Sequence, residues 1–223
     1  MTGPGTRLRV LASALATPHD TADAPVLTGF IESEFNPLVH RAAWQCLTGR
    51  ALDGARTAVV LASLFGDTTT ADLASRQLVA GRVHNAILFM QATANAILGH
   101  ISTQFALTGP LLALSTPDPV EELVATAELL LDDGEIDHVL LVGAELAAGE
   151  RTIAASAELG VTPPAEDLAV AHLVTRDSGQ PETGPPHTEV PATASGEGLR
   201  RLLDPAEVNG RAHPARPFPG AHR

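Results

Sequence analysis

The amino-acid sequence predicts an α/β protein with a mixed, mostly parallel sheet and helices packed on its faces. Short apolar runs alternate with longer amphipathic runs over residues 7–177, as strands and helices do around a parallel sheet. Residues 56–64, RTAVVLASL, are almost continuously apolar, which is typical of a strand buried on both faces. At 223 residues, the chain is long enough to bury one ordinary core without metals or disulfides.

In the first part of the chain, each element has its own signal. The apolar run at residues 7–17 predicts the first strand. Residues 36–49 predict a helix that ends at Gly49. After the buried strand, residues 66–81 predict a second helix whose first turn offers Asp and Thr as caps.

The middle and last parts continue the alternation. Residues 84–107 carry almost no charge, so a helix there would be buried all round or pressed against another subunit. One further helix is predicted at residues 119–134. The remaining strands are predicted at residues 110–115, 137–145 and 165–175.

The helix at residues 119–134 follows a sharp strand-to-helix turn, a place where many enzymes carry a nucleophile. Asp118 is suited to the N-cap and Pro119 to the first helical position, and Glu121 completes a capping box. The same residues make a poor catalytic turn. Pro117 and Pro119 remove backbone donors, and the acids stand where an anion would have to bind.

Composition excludes several classes of partner. The formal net charge is -12, with fourteen Arg and no Lys, so nucleic acid and anionic membranes are poor partners and a basic protein surface is a better one. The single Cys46 rules out an internal disulfide and is expected to pack as a small apolar group. No signal sequence or membrane-spanning run is found, so we expect a soluble, cytoplasmic protein. No metal or cofactor is predicted, because residues 132–138, DDGEIDH, lack the ligand spacing of a calcium loop.

The sequence changes character after residue 177. Residues 178–223 are rich in Pro, Gly, Ser and Thr, and we predict a disordered tail there and a single domain at residues 1–177. The one exception is GEGLRRLLD at residues 196–204, whose apolar spacing would suit one or two helical turns.

Several motifs in order resemble the amino-terminal half of a β-ketoacyl synthase of the thiolase-like fold. Residues 85–116 hold an Asn-Ala…Gly-His helix and a Leu-Thr-Gly-Pro turn before a strand, and residues 121–145 hold Asp-Gly-Glu-x-Asp and a strand ending Val-Gly-Ala-Glu. Residues 56–67 are similar to the second strand of the family with its Gly-Asp. The resemblance spans about residues 7–177 and implies that fold.

Two departures from the family bear on activity. The family carries its catalytic Cys in a Thr-Ala-Cys-Ser turn, whereas here Thr116 is followed by Pro117 and Asp118, a degenerate nucleophile turn. The carboxyl-terminal half of the family, with two catalytic His and a Lys, has no counterpart in this sequence. The resemblance therefore implies no catalytic residue in this chain.

A half-length chain of this kind resembles the chain length factors of type II polyketide synthases that make highly reduced polyenes. The resemblance implies a heterodimer with a catalytic ketosynthase subunit, in which the helix at residues 84–107 closes the end of the acyl tunnel. The growing acyl chain, carried by an acyl carrier protein, would be reached through the partner. Because this chain is acidic, the dock for the carrier protein should lie on the partner.

On that helix, Thr93 lies two residues before Asn95, where ketosynthases place a gating side chain. The candidates for a tunnel gate are Phe89, Met90, Thr93 and Ile97, and those for the subunit interface are Gln91, Ala94, Asn95 and His100. Helical spacing serves a core equally well, so a purely structural role for Phe89, Met90 and Ile97 stays open.

Two other functions stay open. Ser115 and His100, with Asp118, have the residue types of a hydrolytic triad, so a stand-alone acyl transferase or hydrolase is one alternative. A scaffold module derived from the same fold, binding something other than a ketosynthase, is the other.

Overall fold

A computed structural model describes residues 7–20, 24–82 and 86–177. For Ala86, Ile87 and Phe89 it describes the backbone alone. The predicted tail at residues 178–223, and with it the boundary of the predicted domain, lies outside the described residues.

The described residues form five strands, six α-helices and one 3-10 turn. The strands are β1 (Leu8–Ala16), β2 (Thr57–Ser63), β3 (Leu111–Ser115), β4 (His138–Glu145) and β5 (Leu168–Arg176). The helices are α1 (Phe35–Leu47), α2 (Thr68–Val79), α3 (Ala86–Gln91), α4 (Ala94–Phe105), α5 (Pro119–Asp132) and α6 (Glu150–Leu159), and the 3-10 turn is Gly54–Arg56. All five predicted strands are present.

The strands form one open sheet in the order β1-β5-β4-β2-β3. Strands β4, β2 and β3 pair in parallel, whereas β5 runs antiparallel to both β4 and β1. Four strands therefore point one way and β5 points the other. This arrangement confirms the predicted mixed, mostly parallel sheet.

Helices cover both faces of the sheet, and the alternation along β4 shows how. Leu140 and Val142 belong to a core with α1 and α4 on one face, and Val139 and Leu141 belong to a core with α5 on the other. All of β2 is buried, as its unbroken apolar run predicts. Burial on alternate sides of a pleated strand places α5 opposite α1.

The predicted helix at residues 84–107 is wrong in one respect, because the structure breaks it in two. Helix α3 ends as Ala92 N–H donates to the Leu88 carbonyl, and Thr93 takes an extended conformation (φ −87°, ψ 136°) before α4 begins. The buried Asn36 side chain donates through Nδ2 to the Gln91 carbonyl at 3.2 Å. This contact from α1 satisfies a carbonyl at the end of α3 that a continuous helix would have used itself.

Helix α6 was not predicted. It buries only Thr152 and Ser156 and leaves its apolar Ile153 and Leu159 exposed, so it has no apolar stripe for a pattern to detect. Among the described residues, every helix is too short or too polar to cross a bilayer.

Candidate functional site

The carboxyl ends of the three parallel strands meet at one edge of the sheet, where open α/β sheets commonly place their functional sites. Strand β2 ends at Ser63, β3 at Ser115 and β4 at Glu145. Two further groups stand at this edge. One is the turn from β3 into α5, and the other is Asp67, which precedes α2.

The turn from β3 into α5 is built as a helix cap. The Asp118 carboxylate accepts a hydrogen bond from Glu121 N–H at 3.2 Å, and Pro119 is the first residue of α5. The predicted N-cap and first-turn proline are therefore confirmed, but Asp118 N–H does not donate to the Glu121 side chain as the predicted capping box requires. Asp118 N–H donates to Thr116 Oγ1 at 3.3 Å, which closes the turn on itself.

The backbone donors of this turn are already occupied. Thr116 N–H donates to the Ser63 carbonyl at 3.4 Å and Glu122 N–H to the Asp118 carbonyl at 3.2 Å. Pro117 and Pro119 have no N–H to offer. An oxyanion hole needs free, preorganised donors, and the donors of this turn point at protein acceptors beside a carboxylate.

Glu145 is a functional group that the sequence did not single out. Its Oε1 accepts a hydrogen bond from Leu64 N–H at 2.5 Å, and its Oε2 is buried without a hydrogen-bond partner among the described residues. Burial raises the pKa of Glu145, and the hydrogen bond from Leu64 opposes that shift only in part. The only signal in the sequence is a charged residue at the very end of an apolar strand.

A second network surrounds Asp67, of which the sequence predicted the cap of α2 but not the bonds to α1. Its carboxylate accepts from Thr70 N–H at 3.0 Å, from Thr70 Oγ1 at 2.7 Å and from Asn36 Nδ2 at 3.2 Å. Asn36 Nδ2 also donates to Ser33 Oγ at 2.8 Å. Together with the Asn36 contact to α3, these buried bonds tie α1, α2 and α3 together at this edge.

The only thiol of the chain lies elsewhere. Cys46 is fully buried on α1, and its thiol donates a hydrogen bond to the Ala171 carbonyl, with 3.5 Å between sulfur and oxygen. Burial raises the pKa of Cys46 to about 12, so it holds no thiolate near neutral pH. The prediction that Cys46 packs as a small apolar group is confirmed.

The candidate gate residues fall on both sides of the break between α3 and α4. The Met90 side chain is 69 % exposed, and Thr93, also exposed, donates its hydroxyl to the Met90 carbonyl at 2.9 Å. Ile97 is fully buried in the core with α1. The side chain of Phe89 lies outside the described residues.

The candidate interface residues also differ in accessibility. Gln91 donates its side-chain amide to the Gly29 carbonyl, and Ala94 packs partly against the core. Asn95 is exposed. His100 is half-buried, with its ring 5.4 Å from the His40 ring.

The three residues of the hydrolytic alternative are not connected. Ser115 Oγ donates to the Leu64 carbonyl at 3.1 Å, and Asp118 caps α5. The neighbours of His100 are rings of α1 and of the loop before it. Within the described residues, no hydrogen bond joins any two of Ser115, Asp118 and His100, and no cluster of three metal-ligating side chains occurs.

Strand β3 forms an edge of the sheet. Its sequence, LLALS, carries no charge. Leu111, Ala113 and Ser115 are exposed, while Leu112 and Leu114 are half-buried. Helix α4 packs beside this strand.

The strand order, the helices on both faces and the turn into α5 define the amino-terminal half of a thiolase-like ketosynthase fold. Residues 37–171, more than half of the chain, match the β-ketoacyl synthase N-terminal domain family, and the chain belongs to that family. Among curated proteins, no sequence matches this one.

Solved structures agree on the fold. A ketosynthase (ApeO) in complex with its chain length factor (ApeC) from Xenorhabdus doucetiae matches with a TM-score of 0.62 at 16% identity, over 78% of this chain and 80% of that chain. The ishigamide ketosynthase/chain length factor matches with a TM-score of 0.56 at 19% identity, over 74% of this chain and 49% of that chain. At such identities the likeness shows the fold alone.

A third match is AntDE:AntF, a type II polyketide synthase acyl carrier protein in complex with its ketosynthase bound to the hexaketide. Its TM-score is 0.64 at 12% identity, over 77% of this chain and 64% of that chain. This chain thus spans about half of the ishigamide protein and under two thirds of the third structure, but most of the first.

Proposed function

We propose that this protein is a non-catalytic chain length factor. It pairs with a catalytic ketosynthase subunit of a type II polyketide synthase and closes the acyl tunnel at their interface, which sets the length of a reduced polyketide chain. The partner supplies the nucleophile and reaches the acyl carrier protein.

The lack of catalytic function is supported by the β3–α5 turn. At the place where the family carries its cysteine, Asp118 caps the N-terminus of α5, and the neighbouring backbone N–H groups of the turn are already hydrogen-bonded. The one thiol is buried on α1, where it is not a nucleophile. A condensing reaction that starts with attack of a thiolate on a thioester has no group here to perform it.

The observation that carries the pairing is the open edge at β3. Isolated proteins usually protect an edge strand with charge, proline or a covering segment, because free N–H and C=O groups invite another strand. The five residues of β3 include no charged residue and no proline, and exposed Leu111 adds apolar surface. Such an edge fits a strand of a partner with the same fold, which continues the sheet across the interface.

The break between α3 and α4 is where the chain would close the tunnel. Met90 and Thr93 are exposed beside one another there, and α4, which follows the break, packs beside β3. Asn95 is exposed one turn further along. Ile97 supports this surface from the core, and Phe89 remains a candidate from its place in the sequence.

Charge supports the division of roles. The chain has a net charge of -12, and acyl carrier proteins of this class of pathway are acidic as well. Like charges lower the rate of association, so a basic dock on the ketosynthase is the better place for the carrier protein.

Co-purification tests the proposal. The protein is co-expressed with a catalytic ketosynthase subunit from the same source, and the pair is analysed by size-exclusion chromatography. We expect co-elution of the unaltered pair, loss of co-elution for Ala113→Arg on the β3 edge, and retention for Leu78→Arg, another exposed apolar site, on α2. An unaltered pair that never co-elutes contradicts the proposal, and condensing or hydrolytic activity of the purified single chain would favour the enzyme alternative.

A further inference from the structure

An open groove lies at the end of the sheet where the three parallel strands begin, opposite to the candidate site. Ala55, Pro110 and Ile136 precede β2, β3 and β4, and they line this groove together with Leu130 from the last turn of α5. Its cavity volume is about 910 Å³. Leu129, another lining residue, is 73 % exposed, so an apolar side chain faces the solvent at this groove.

The groove is negatively charged. No basic residue belongs to its described lining, whereas three acidic residues do, namely Asp132, Asp133 and Glu135. Two arginines lie nearby, but each pairs with one carboxylate: Arg176 with Asp132 at 3.2 Å, and Arg56 with Asp137 at 2.6 Å. Within the described residues, the exposed Asp133 and Glu135 form no ion pair. The groove therefore keeps two negative charges that a basic side chain can neutralise.

The end of α5 beside this groove already binds guanidinium groups. The last carbonyl groups of a helix have no partners within it, and the helix dipole adds partial negative charge there. Helix α5 has no basic residue in its last turn. Instead, Arg176 donates to the Leu131 carbonyl, and Arg56 donates to the Gly134 carbonyl at 2.8 Å. Two cations from other parts of the chain thus bind at this helix end, and the two remaining carboxylates favour a third.

The groove continues the open edge of the sheet. Thr108, Gly109 and Pro110 line it, and β3 begins at the next residue, Leu111. A strand that pairs along β3 and continues past its amino end therefore passes beside the groove. This holds for either direction of the added strand, because one of its two ends lies at the amino end of β3.

We propose that a basic segment of the ketosynthase partner docks in this groove, with an arginine or lysine beside Asp133 and Glu135 and an apolar side chain against Leu129. Because the docking follows from pairing at β3, it rests on the proposed function. It adds a means of choosing the partner. A segment with acidic residues at this place would meet like charges, whereas a basic one completes the charge of the groove.

The dissociation constant of the pair measures the contribution of the groove. It is determined by isothermal titration calorimetry with the purified ketosynthase subunit, at about 50 mM and about 500 mM NaCl. Glu135→Lys reverses one charge of the groove. We expect it to weaken binding about ten-fold at the lower salt concentration and about two-fold at the higher one, because salt screens the exposed charges.

Matched variants separate the groove from general effects of charge and apolar surface. Glu158→Lys makes the same change in net charge at an exposed site on α6, and it should alter binding less than about two-fold. Leu129→Ser should weaken binding about ten-fold at both salt concentrations, since it removes a leucine that docking buries. Leu159→Ser, at another exposed leucine, on α6, should have no such effect. Circular dichroism of each variant alone checks that the fold is intact.

Failure of the docking can be told apart from failure of the pairing. If the parent pair forms and Glu135→Lys binds as tightly as Glu158→Lys, the docking is overturned and the pairing at β3 stands. An effect of Glu135→Lys that does not fall with salt also overturns the docking, because it would then not depend on charge. A parent chain that binds no ketosynthase subunit overturns both. Self-association of the parent chain that Glu135→Lys weakens assigns the groove to a second copy instead.

Discussion

Glu145 Oε1 accepts a hydrogen bond from Leu64 N–H at 2.5 Å, and this bond joins the carboxyl ends of β4 and β2. The other carboxylate oxygen is buried without a partner among the described residues. A carboxyl group in this position is easier to bury neutral than charged, which is why its pKa is raised above the ordinary 4.5.

We expect this carboxyl group to make the stability of the fold depend on pH. Because the folded chain holds the proton more tightly than the unfolded chain, the contribution of Glu145 to the free energy of unfolding is full below about pH 4.5. It is lost as the pH rises through the raised pKa of the folded state. Glu145→Gln removes the titration, so the free energy of unfolding of the variant, minus that of the parent, should increase with pH.

Urea unfolding between pH 4 and pH 8 measures this difference. Glu122→Gln, at an exposed site on α5, is the control for replacing a carboxyl group by an amide elsewhere on the chain. A Glu145→Gln difference that is flat over the same range would show that this carboxyl group does not titrate differently on folding.

A second prediction concerns the turn that aligns β3 with β2. Gly109 N–H donates to the Gly54 carbonyl at 2.9 Å, and a Cβ at Gly109 would lie 2.3 Å from the Thr57 carbonyl oxygen. That contact is with backbone and has no easy relief. Gly109→Ala should therefore lower the free energy of unfolding by about 3 kcal/mol or more.

Gly99→Ala is the matched control for Gly109→Ala. Gly99 lies within α4 with nothing within 4 Å of an added Cβ, so the substitution should raise the free energy of unfolding by about 0.5–1 kcal/mol. Urea denaturation measures the free energy of unfolding of both variants and of the parent. Equal effects would mean that the close approach of Gly109 to β2 does not constrain the fold.

The sequence predicted those elements whose residues repeat a simple period. β2 is one unbroken apolar run, and α5 has a cap, a proline and an apolar stripe within its own residues. The break between α3 and α4 could not be predicted, because the group that satisfies the Gln91 carbonyl is Asn36, 55 residues earlier. Such a contact exists only once the chain has folded.

The candidate site was predicted unevenly for the same reason. The cap at Asp118 is local and could be predicted from neighbouring residues, whereas the role of Glu145 depends on Leu64, which follows a different strand, β2. The burial of Ile97 and the exposure of Met90 could not be separated by spacing, since both suit a helix. Ile97 is buried because α4 packs on α1, whereas Met90 lies on α3, before the break.

Asp118 offers a test of the degenerate turn. Asp118→Ala removes the carboxylate that caps α5 and should lower the free energy of unfolding by about 1 kcal/mol, while Asp118→Asn, which can still accept from Glu121 N–H, should lower it less. In the complex with a ketosynthase, neither variant should change the turnover rate at a temperature where both are folded. A large fall in turnover for both variants, with the complex intact, would give this turn a part in catalysis.

The proposed tunnel gate can be tested at Thr93. Among the described residues, the exposed Thr93 side chain makes one hydrogen bond, to the Met90 carbonyl, so a larger residue can be placed there at little cost to the fold. Thr93→Trp should fill the space at the end of α3 and shorten the products of an active complex by one or more extender units, as measured by mass spectrometry. Thr103→Trp is the control. Thr103 is exposed on α4, about 15 Å from Thr93 along the axis of that helix. Unchanged product length with Thr93→Trp, in a complex that still co-elutes, would remove Thr93 from the gate. Equal shortening by Thr103→Trp would show that the effect does not depend on the break between α3 and α4.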